Sequence, residues 1–378
     1  MTGIDARTVF LLAGVLSGFM AVILYSLKHS YPPAIQGLGE WSAALSLVSV
    51  GGLLAFGLGT LPDILSINLP RLLLPSGLLL AYIGAQRFFG ITPRYSWWIV
   101  AIAVVVLLQL WFTFVQPSFN ARLFLATSLG TCMFAAFANL MRKQGLHSFG
   151  RALTMLVLTA TGAITLMRLV TLLIWPGGNN ILETSPQHTL YVIAFSFCIF
   201  PLAVGLILMA TERLHGELSY LAAHDSLTGA LTRRHLNASC TMELERSARH
   251  GHSLALLVMD LDHFKAINDR HGHQLGDRVL VGFVKKVSTL LRKPDQLGRF
   301  GGEEFVALLP ETNLEEALVV AERVRQACAA PGPEVGCTVS IGVTTNSVAG
   351  DTVDTLFARA DAAMYRAKSL GRNRVETA

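Results

Sequence analysis

Apolar residues run almost unbroken through the first 210 positions and then give way to short segments interleaved with charge. The first part resolves into about seven stretches, near 8–27, 38–61, 72–90, 97–115, 123–141, 152–175 and 189–210. Each is close to the ~20 apolar residues that cross a bilayer. Pro32-Pro33, Pro62, Pro70, Pro93, Pro117 and the Pro176-Gly-Gly-Asn-Asn180 cluster punctuate the gaps. Trp97, Trp98 and Trp175 fall at span ends, where amphipathic rings settle at a membrane interface. The first stretch has little basic lead-in and no small-residue cleavage site, so it reads as a retained span.

Beyond residue 210 the period changes. Thr211–Leu221 continues the last span without a proline, and Leu214, Leu218 and Leu221 recur at four and three residues. That spacing suits the seam of a short parallel coiled coil, or a plain amphipathic connector. Thr232–His250 then reads as a helix, and the apolar run Leu254–Met259 as a central strand buried on both faces. Helices are expected at His263 to about Asp269 and at Asp277–Arg292, the latter burying Val279, Leu280, Phe283, Val287 and Leu291. A hairpin at 297–309, a helix near 313–329, a strand Val335–Thr345, a helix Thr352–Ser369 and a short strand at Arg374–Glu376 complete an α+β order with a mostly antiparallel sheet.

Composition sharpens this division. With 52% hydrophobic residues, 15% charged and a mean hydropathy of +0.51, the chain is too apolar for one soluble globule. Residues 1–210 hold ten Lys/Arg against four Asp/Glu, and the remainder twenty against twenty-one. The pI near 9.0 therefore comes from membrane flanks, and no nucleic-acid partner is expected. A cytoplasmic C-terminus puts Lys28, Arg87, Arg94, Arg142, Lys143 and Arg151 inside and Arg7, Arg71 and Arg122 outside, in keeping with the positive-inside tendency. Arg168 lies mid-span, where a charge faces the bundle interior at a ligand site or snorkels to an interface. The five cysteines form no C-x-x-C pair, which fits a reducing compartment for the second part. His-Gly-His at 250–252 and 271–273 lacks ligand spacing and reads as loop histidines.

Candidate chemistry gathers at Gly301-Gly302-Glu303-Glu304-Phe305. Glycines permit a tight turn and a close ligand approach, and paired carboxylates suit a hard cation such as Mg²⁺. A tight acidic turn on a plain hairpin has the same local sequence. Asp260-Leu-Asp262 leaves the central strand, and pairing of the hairpin beside it would bring Glu303 and Glu304 to Asp260. Lys368 and Arg372 are spaced i, i+4 and are expected on one face of the last helix, a cationic clamp for phosphates. Acid cluster, glycine turn and clamp together describe a nucleotide-polyphosphate site with no Walker A loop.

With those residues in place, about Asp225 to Asn373 resembles the GGDEF domain of bacterial diguanylate cyclases. The matching motifs are Asp225-Ser-Leu-Thr-Gly-Ala-Leu-Thr-Arg-Arg234, Asp260-Leu-Asp-His-Phe-Lys-Ala-Ile-Asn-Asp269, Gly272-His273, Gly276-Asp277, the Gly301–Phe305 signature and Tyr365-Arg-Ala-Lys-Ser-Leu-Gly-Arg-Asn373. Thr232 departs from the family's usual Asn, with a slight change in packing of the entry turn expected. The apolar spans read as a transmembrane α-helical bundle, and for the α+β domain that follows it the resemblance implies a palm-like central sheet of the adenylyl cyclase and polymerase type. The expected division is a sensory membrane domain at 1–210, a helical linker at 211–224 and the GGDEF domain at 225–378. The expected location is a bacterial inner membrane, with the GGDEF domain in the cytoplasm.

The resemblance also implies roles. Asp260, the Leu261 carbonyl, Glu303 and Glu304 would hold Mg²⁺ or Mn²⁺, with Glu303 and Glu304 catalytic. Asn268 and Asp277 would read guanine, and Lys265, Lys368 and Arg372 would hold phosphates. His273, Gly301 and Gly302 fall among the substrate-binding positions. The implied reaction joins two GTP into cyclic di-GMP with loss of two pyrophosphates in a homodimer, the copies meeting through linker and GGDEF domains. Arg292-Lys-Pro-Asp295, five residues ahead of the signature glycines, matches the family's R-x-x-D product-inhibition site, with Arg323 as its second arginine. Two other readings stand beside this one. The domain could be a catalytically silent binder of GTP or cyclic di-GMP, or the membrane part could be a transporter or channel with the cytoplasmic domain as its regulator.

Overall fold

The computed structural model describes residues 6–145, 148–174, 186–330, 336–346 and 350–378. The chain forms two compact units, Met1–Gly216 and Glu217–Ala378.

Seven helices build the first unit: α1 (Ala6–Ser30), α2 (Leu38–Phe56), α3 (Leu69–Phe88), α4 (Ser96–Phe114), α5 (Phe119–Lys143), α6 (Phe149–Ile174) and α7 (Pro186–Ala223). Among the described residues, seven helices are long and apolar enough to cross a membrane. Their outward faces carry Leu107, Leu156, Leu173 and Phe197, all exposed, as a lipid-covered surface requires. The interior packs around Trp41, Phe137, Leu158 and Met209, and the Trp41 indole donates to the Ala81 carbonyl at 3.1 Å. Helices α1 and α2 meet at Gly14 and Gly52. A Cβ on Gly52 would lie 3.0 Å from the Gly14 Cα, so a side chain there would force the helices apart.

Several span boundaries differ from expectation. Helix α2 stops at Phe56 rather than residue 61, and a π-helical turn at Ile64–Asn68 leads into α3 well before residue 72. Pro70 punctuates no gap. It occupies the first turn of α3, where its missing N–H costs nothing. Helix α7 carries Pro201 inside it and runs on to Ala223. Trp175 and the Pro176–Asn180 cluster lie outside the described residues.

The second unit is a six-stranded sheet in the order β1-β3-β4-β2-β5-β6. Its strands are β1 (Leu231–Thr232), β2 (Leu254–Leu261), β3 (Gln296–Gly301), β4 (Glu304–Pro310), β5 (Val339–Thr345) and β6 (Val375–Thr377). The centre is antiparallel, but β1 runs parallel to β3 and β6 parallel to β5, so the sheet is mixed. Helices α8 (Arg233–His250), α9 (Phe264–His271), α10 (His273–Leu290), α11 (Leu314–Ala329) and α12 (Val353–Ser369) complete it.

Strand β2 is buried along its whole length because it feeds two cores. Ala255, Leu257, Met259 and Leu261 join Phe283, Phe305 and Val324 in one. Leu254, Leu256 and Val258 join Leu236, Leu356 and Met364 in the other. Period-two alternation sends successive side chains to opposite faces. Each buried Leu or Val contributes roughly 1.5–3 kcal/mol, and this double burial fixes where β2 ends. Helix α12 lies so close on β5 that a Cβ on Gly342 would sit 2.0 Å from the Ala360 carbonyl oxygen.

Gly272 divides α9 from α10, so α10 begins at His273 rather than Asp277, and it ends at Leu290, before Arg292. His271 and His273 therefore lie in helical ends, not in a loop, as does His250 at the end of α8. Strand β5 begins at Val339, and Val335 lies outside the described residues.

Candidate functional site

The antiparallel register of β2 and β4 sets Asp260 directly across from Glu304. Between β3 and β4, Gly302 turns with φ +40°, and a Cβ on Gly301 or Gly302 would meet nothing within 4 Å. The tip is thus open on the side a ligand would approach. Glu303 is half-buried there, and its carbonyl accepts from the Leu261 amide at 3.3 Å, which ties the tip to the end of β2. Glu304 is exposed.

Arg299 holds the turn from beneath. Its guanidinium donates to the Gly302 carbonyl at 2.8 and 3.1 Å and to Asp225 at 3.0 Å. Burial works to raise the Asp225 carboxyl, but hydrogen bonds from Thr228 and Arg299 outweigh it and hold it below the usual carboxylate range. The entry motif and the signature are therefore one construction. Arg299 escaped the sequence reading because its partner lies 74 residues away. Thr232 donates to the Ala222 and Ala223 carbonyls at 3.2 Å, closing the entry turn.

Electrostatics concentrate on two acids. Burial pushes the Asp260 carboxyl upward, against the pull of Lys368, whose Nζ lies 2.8 Å from it. Glu303 is pushed up as well, by burial first and then by the charge on Asp260. Carboxylates that repel at the end of a buried strand gain from a divalent ion between them. Among the described residues no group of three His, Cys, Asp or Glu could hold a metal ion. Two carboxylates completed by water and substrate phosphates are a usual donor set for Mg²⁺, so Asp260 and Glu303 fit it.

Arg372 requires a correction. Helix α12 ends at Ser369, and Gly371 at φ +112° turns the chain, leaving Arg372 at φ +62° beyond the helix. Lys368 and Arg372 consequently do not share a helical face, although the Arg372 charge still acts on Asp260. Asp262 positions this turn. It is buried and accepts from Thr338 and Ser340 hydroxyls at 2.7 Å and from the Asn373 amide at 3.0 Å. Arg325 reaches Asn373 Oδ1 from the other side at 2.9 Å. The Asp-x-Asp spacing showed Asp262, but nothing local revealed its partners.

Helices α9 and α10 form the neighbouring wall. Asn268 Oδ1 is buried without a hydrogen-bond partner, and a Cβ on Gly276 would fall 1.9 Å from it. Gly276 thus leaves the room that Asn268 occupies, beside Asp277 on the same stretch of α10. Asp277, Lys265 and His273 are exposed.

On α10's far end the R-x-x-D stretch closes on itself. Arg292 donates to Asp295 through its amide at 2.7 Å and its guanidinium at 3.3 and 3.4 Å. It also reaches Thr312 Oγ1 at 2.6 Å. Arg323 donates to the Leu290 carbonyl at 3.0 Å, so both arginines flank the end of α10.

Comparison with known proteins places this unit. Residues 222–374 match the family model for the diguanylate cyclase GGDEF domain. Diguanylate cyclase DgcP of Pseudomonas aeruginosa is 44% identical over 164 residues, 42% of this chain and 24% of that protein. Diguanylate cyclase DgcM of Escherichia coli is 42% identical over 171 residues, 43% of this chain and 40% of that protein. The chain thus spans two fifths or less of these curated relatives. A solved structure comprising only the GGDEF domain of YfiN from Pseudomonas aeruginosa is 36% identical, covering 41% of this chain and 94% of that one, with a TM-score of 0.40.

Proposed function

Residues 222–374 belong to the GGDEF family of diguanylate cyclases, and we propose that the whole chain is a multi-pass membrane enzyme condensing two GTP to cyclic di-GMP and two pyrophosphates. The observation that carries this reading is the acid cluster: Asp260 in register with Glu304, Glu303 at the open turn beside it, and Lys368 on Asp260 at 2.8 Å. Asp260, Glu303 and the Leu261 carbonyl would hold the divalent ion, with Glu304 alongside. When bound, Mg²⁺ lowers the charge on the phosphates and the pKa of an attacking hydroxyl.

The chain's own groups do the rest. Asn268 and Asp277 bind the guanine edge, since a carboxylate accepts from N1–H and the amino group together. Lys265, Lys368 and Arg372 hold the phosphates, His273 lies beside the base site, and Gly301 and Gly302 let the backbone come near. One such site binds one GTP, so two copies must face each other for a 3′-hydroxyl to attack the other α-phosphate in line. Leu214 packs against the core of the helical unit and so leaves the expected seam, while Leu218 and Leu221, 51% and 66% exposed on α7, are available for the pairing helix of a second copy.

Arg292, Asp295 and Arg323 form the product-inhibition site, where two cations meet the two phosphates of cyclic di-GMP. The seven-helix unit is the sensory domain of an inner-membrane protein whose GGDEF domain lies in the cytoplasm with its GTP. The test is product formation from GTP and Mg²⁺ by the full chain in lipid. Cyclic di-GMP formed by wild type and absent with Glu303→Gln supports an enzyme. GTP or cyclic di-GMP binding with no turnover in wild type would establish the silent regulator instead.

A further inference from the structure

All seven helices of this unit contribute to the wall of a cavity of about 360 Å³. Most of its wall is apolar, but Arg71, Gln109 and Arg168 line it as well. Around the first two, polar groups from three helices crowd together. The Arg71 and Arg122 guanidiniums both donate to the Thr113 hydroxyl, at 3.4 and 3.3 Å. Arg71 also reaches Asn68 Oδ1 at 3.4 Å. Two cations sharing one neutral oxygen within an apolar bundle is costly unless an anion joins them. Asp63 is the acid whose charge acts on Arg122, and it is exposed.

Several hydrogen-bonding atoms here have no partner. Gln109 is 3% exposed; its Nε2 donates to the Arg122 carbonyl, while its Oε1 is buried and unsatisfied. Arg122 Nε and Asn68 Nδ2 are buried donors in the same position. Each buried group left without a partner is unfavourable until something satisfies it. Together they present two donors for an anion and one acceptor for a hydroxyl. The N-terminus of α5, which carries Arg122 near its start, adds a favourable dipole end.

We propose that this cavity binds a free single-chain organic anion, a carboxylate bearing a nearby hydroxyl, with its head at Arg71 and Gln109 in the wall, next to Arg122 and Asn68, and its apolar chain in the bundle. Ligand sites span roughly 300–1,000 Å³, and a cavity at the low end accommodates one short chain rather than the two long ones of a bilayer lipid. Binding here stands independently of turnover by the GGDEF domain.

The test uses the full chain in phosphatidylcholine nanodiscs and equilibrium binding of 3-hydroxydecanoate, with decanoate and 1-decanol as comparators. The hydroxy acid should bind tightest, and the alcohol, without charge, about tenfold or more weakly than decanoate. Arg71→Gln and Arg122→Gln should each weaken the carboxylates by about tenfold and leave decanol unchanged, which also reports that the bundle is intact. Gly130 lines the cavity at a position where a Cβ meets nothing within 4 Å, so Gly130→Leu should fill it without distortion and abolish binding of all three. Equal affinity for decanol and decanoate, or carboxylate binding unchanged in the arginine variants or in Gly130→Leu, overturns the proposal. Displacement of the hydroxy acid by phosphatidylglycerol doped into the disc would assign the cavity to bilayer lipid and overturn it equally.

Discussion

Asp262 in the α/β unit and Gln109 in the helical unit are each 3% exposed, yet their surroundings differ completely. Asp262 accepts three hydrogen bonds from Thr338, Ser340 and Asn373 and braces the strand end. Gln109 leaves an oxygen without a partner, in the wall of a cavity beside two arginines. Asn268, in the α/β unit, behaves like Gln109 rather than like Asp262, with an orphaned Oδ1 beside Gly276. Buried polar groups that brace a fold are satisfied from within; those that wait for a ligand are not. Orphans also occur at Asn237 and Arg374, so convergence of several groups on one space is what separates a site from a local defect.

The largest effect should come from the acid cluster. Asp260→Asn and Glu303→Gln should each lower cyclic di-GMP formation by roughly 10²-fold or more, the scale for losing a group aimed at transition-state charge. The residues sit at a strand end and on a turn, so circular dichroism of residues 217–378 should not change. Near-normal product formation in both variants would remove the cluster from the chemistry.

Asp262→Ala tests the bracing side of the comparison. It orphans two hydroxyls and an amide at once, and urea unfolding of residues 217–378 should show a loss on the order of 2–4 kcal/mol. Turnover should fall too, because the Asn373 anchor holds Arg372 in its turn. A variant as stable as wild type would mean that Thr338 and Ser340 find other partners.

The waiting side is tested by Asn268→Ala. Here stability should change little, since the lost oxygen had no partner, while preference for GTP over ATP should weaken by about 1–3 kcal/mol. Competition between the two nucleotides measures this directly. A large stability loss with unaltered preference would place Asn268 with Asp262 instead.

Arg292→Ala is expected to do less to turnover and more to regulation. Product should inhibit the variant about tenfold less, a change near 1.4 kcal/mol, with the initial rate kept. Velocities measured against added cyclic di-GMP decide this. The internal Arg292–Asp295 contacts are compatible with a turn alone, and equal inhibition of both proteins would reduce the motif to that.

What could be read from sequence follows the same division. The signature, Asp260 and the buried β2 run were legible because each is encoded within a few residues. Arg299 with Asp225, and Asp262 with Asn373, are joined across 74 and 111 positions, and no local pattern encodes such pairs. The i, i+4 spacing of Lys368 and Arg372 places them on one face only in an unbroken helix, and the helix ends at Ser369 ahead of the turn at Gly371. The parallel pairings of β1 and β6 escaped because two- and three-residue edge strands carry almost no alternation. In the helical unit Arg168 drew notice as a charge in mid-span, whereas Arg71 and Arg122 read as flanking charges. Only the tertiary structure brings them to one hydroxyl.

The smallest expected effect concerns the pH dependence of the metal-free α/β unit. Glu303 and Asp260 are both pushed above the usual carboxylate range, by burial first. Between the ordinary value and the raised one, the folded state therefore holds more protons than the unfolded state. Stability must then fall as pH rises through that window and level off above it. Glu303→Gln removes one of the two charges, so the variant should be slightly more stable than wild type at neutral pH. Below the ordinary glutamate value of 4.5 the two should converge. Mg²⁺ with a non-hydrolysable GTP analogue should reverse the order at neutral pH, because ligand binding stabilises only the protein that retains the carboxylate. Thermal unfolding of residues 217–378 at several pH values, with and without both ligands, provides the comparison. A variant less stable than wild type in the absence of metal would show that Glu303 braces the hairpin as Asp262 braces the strand end.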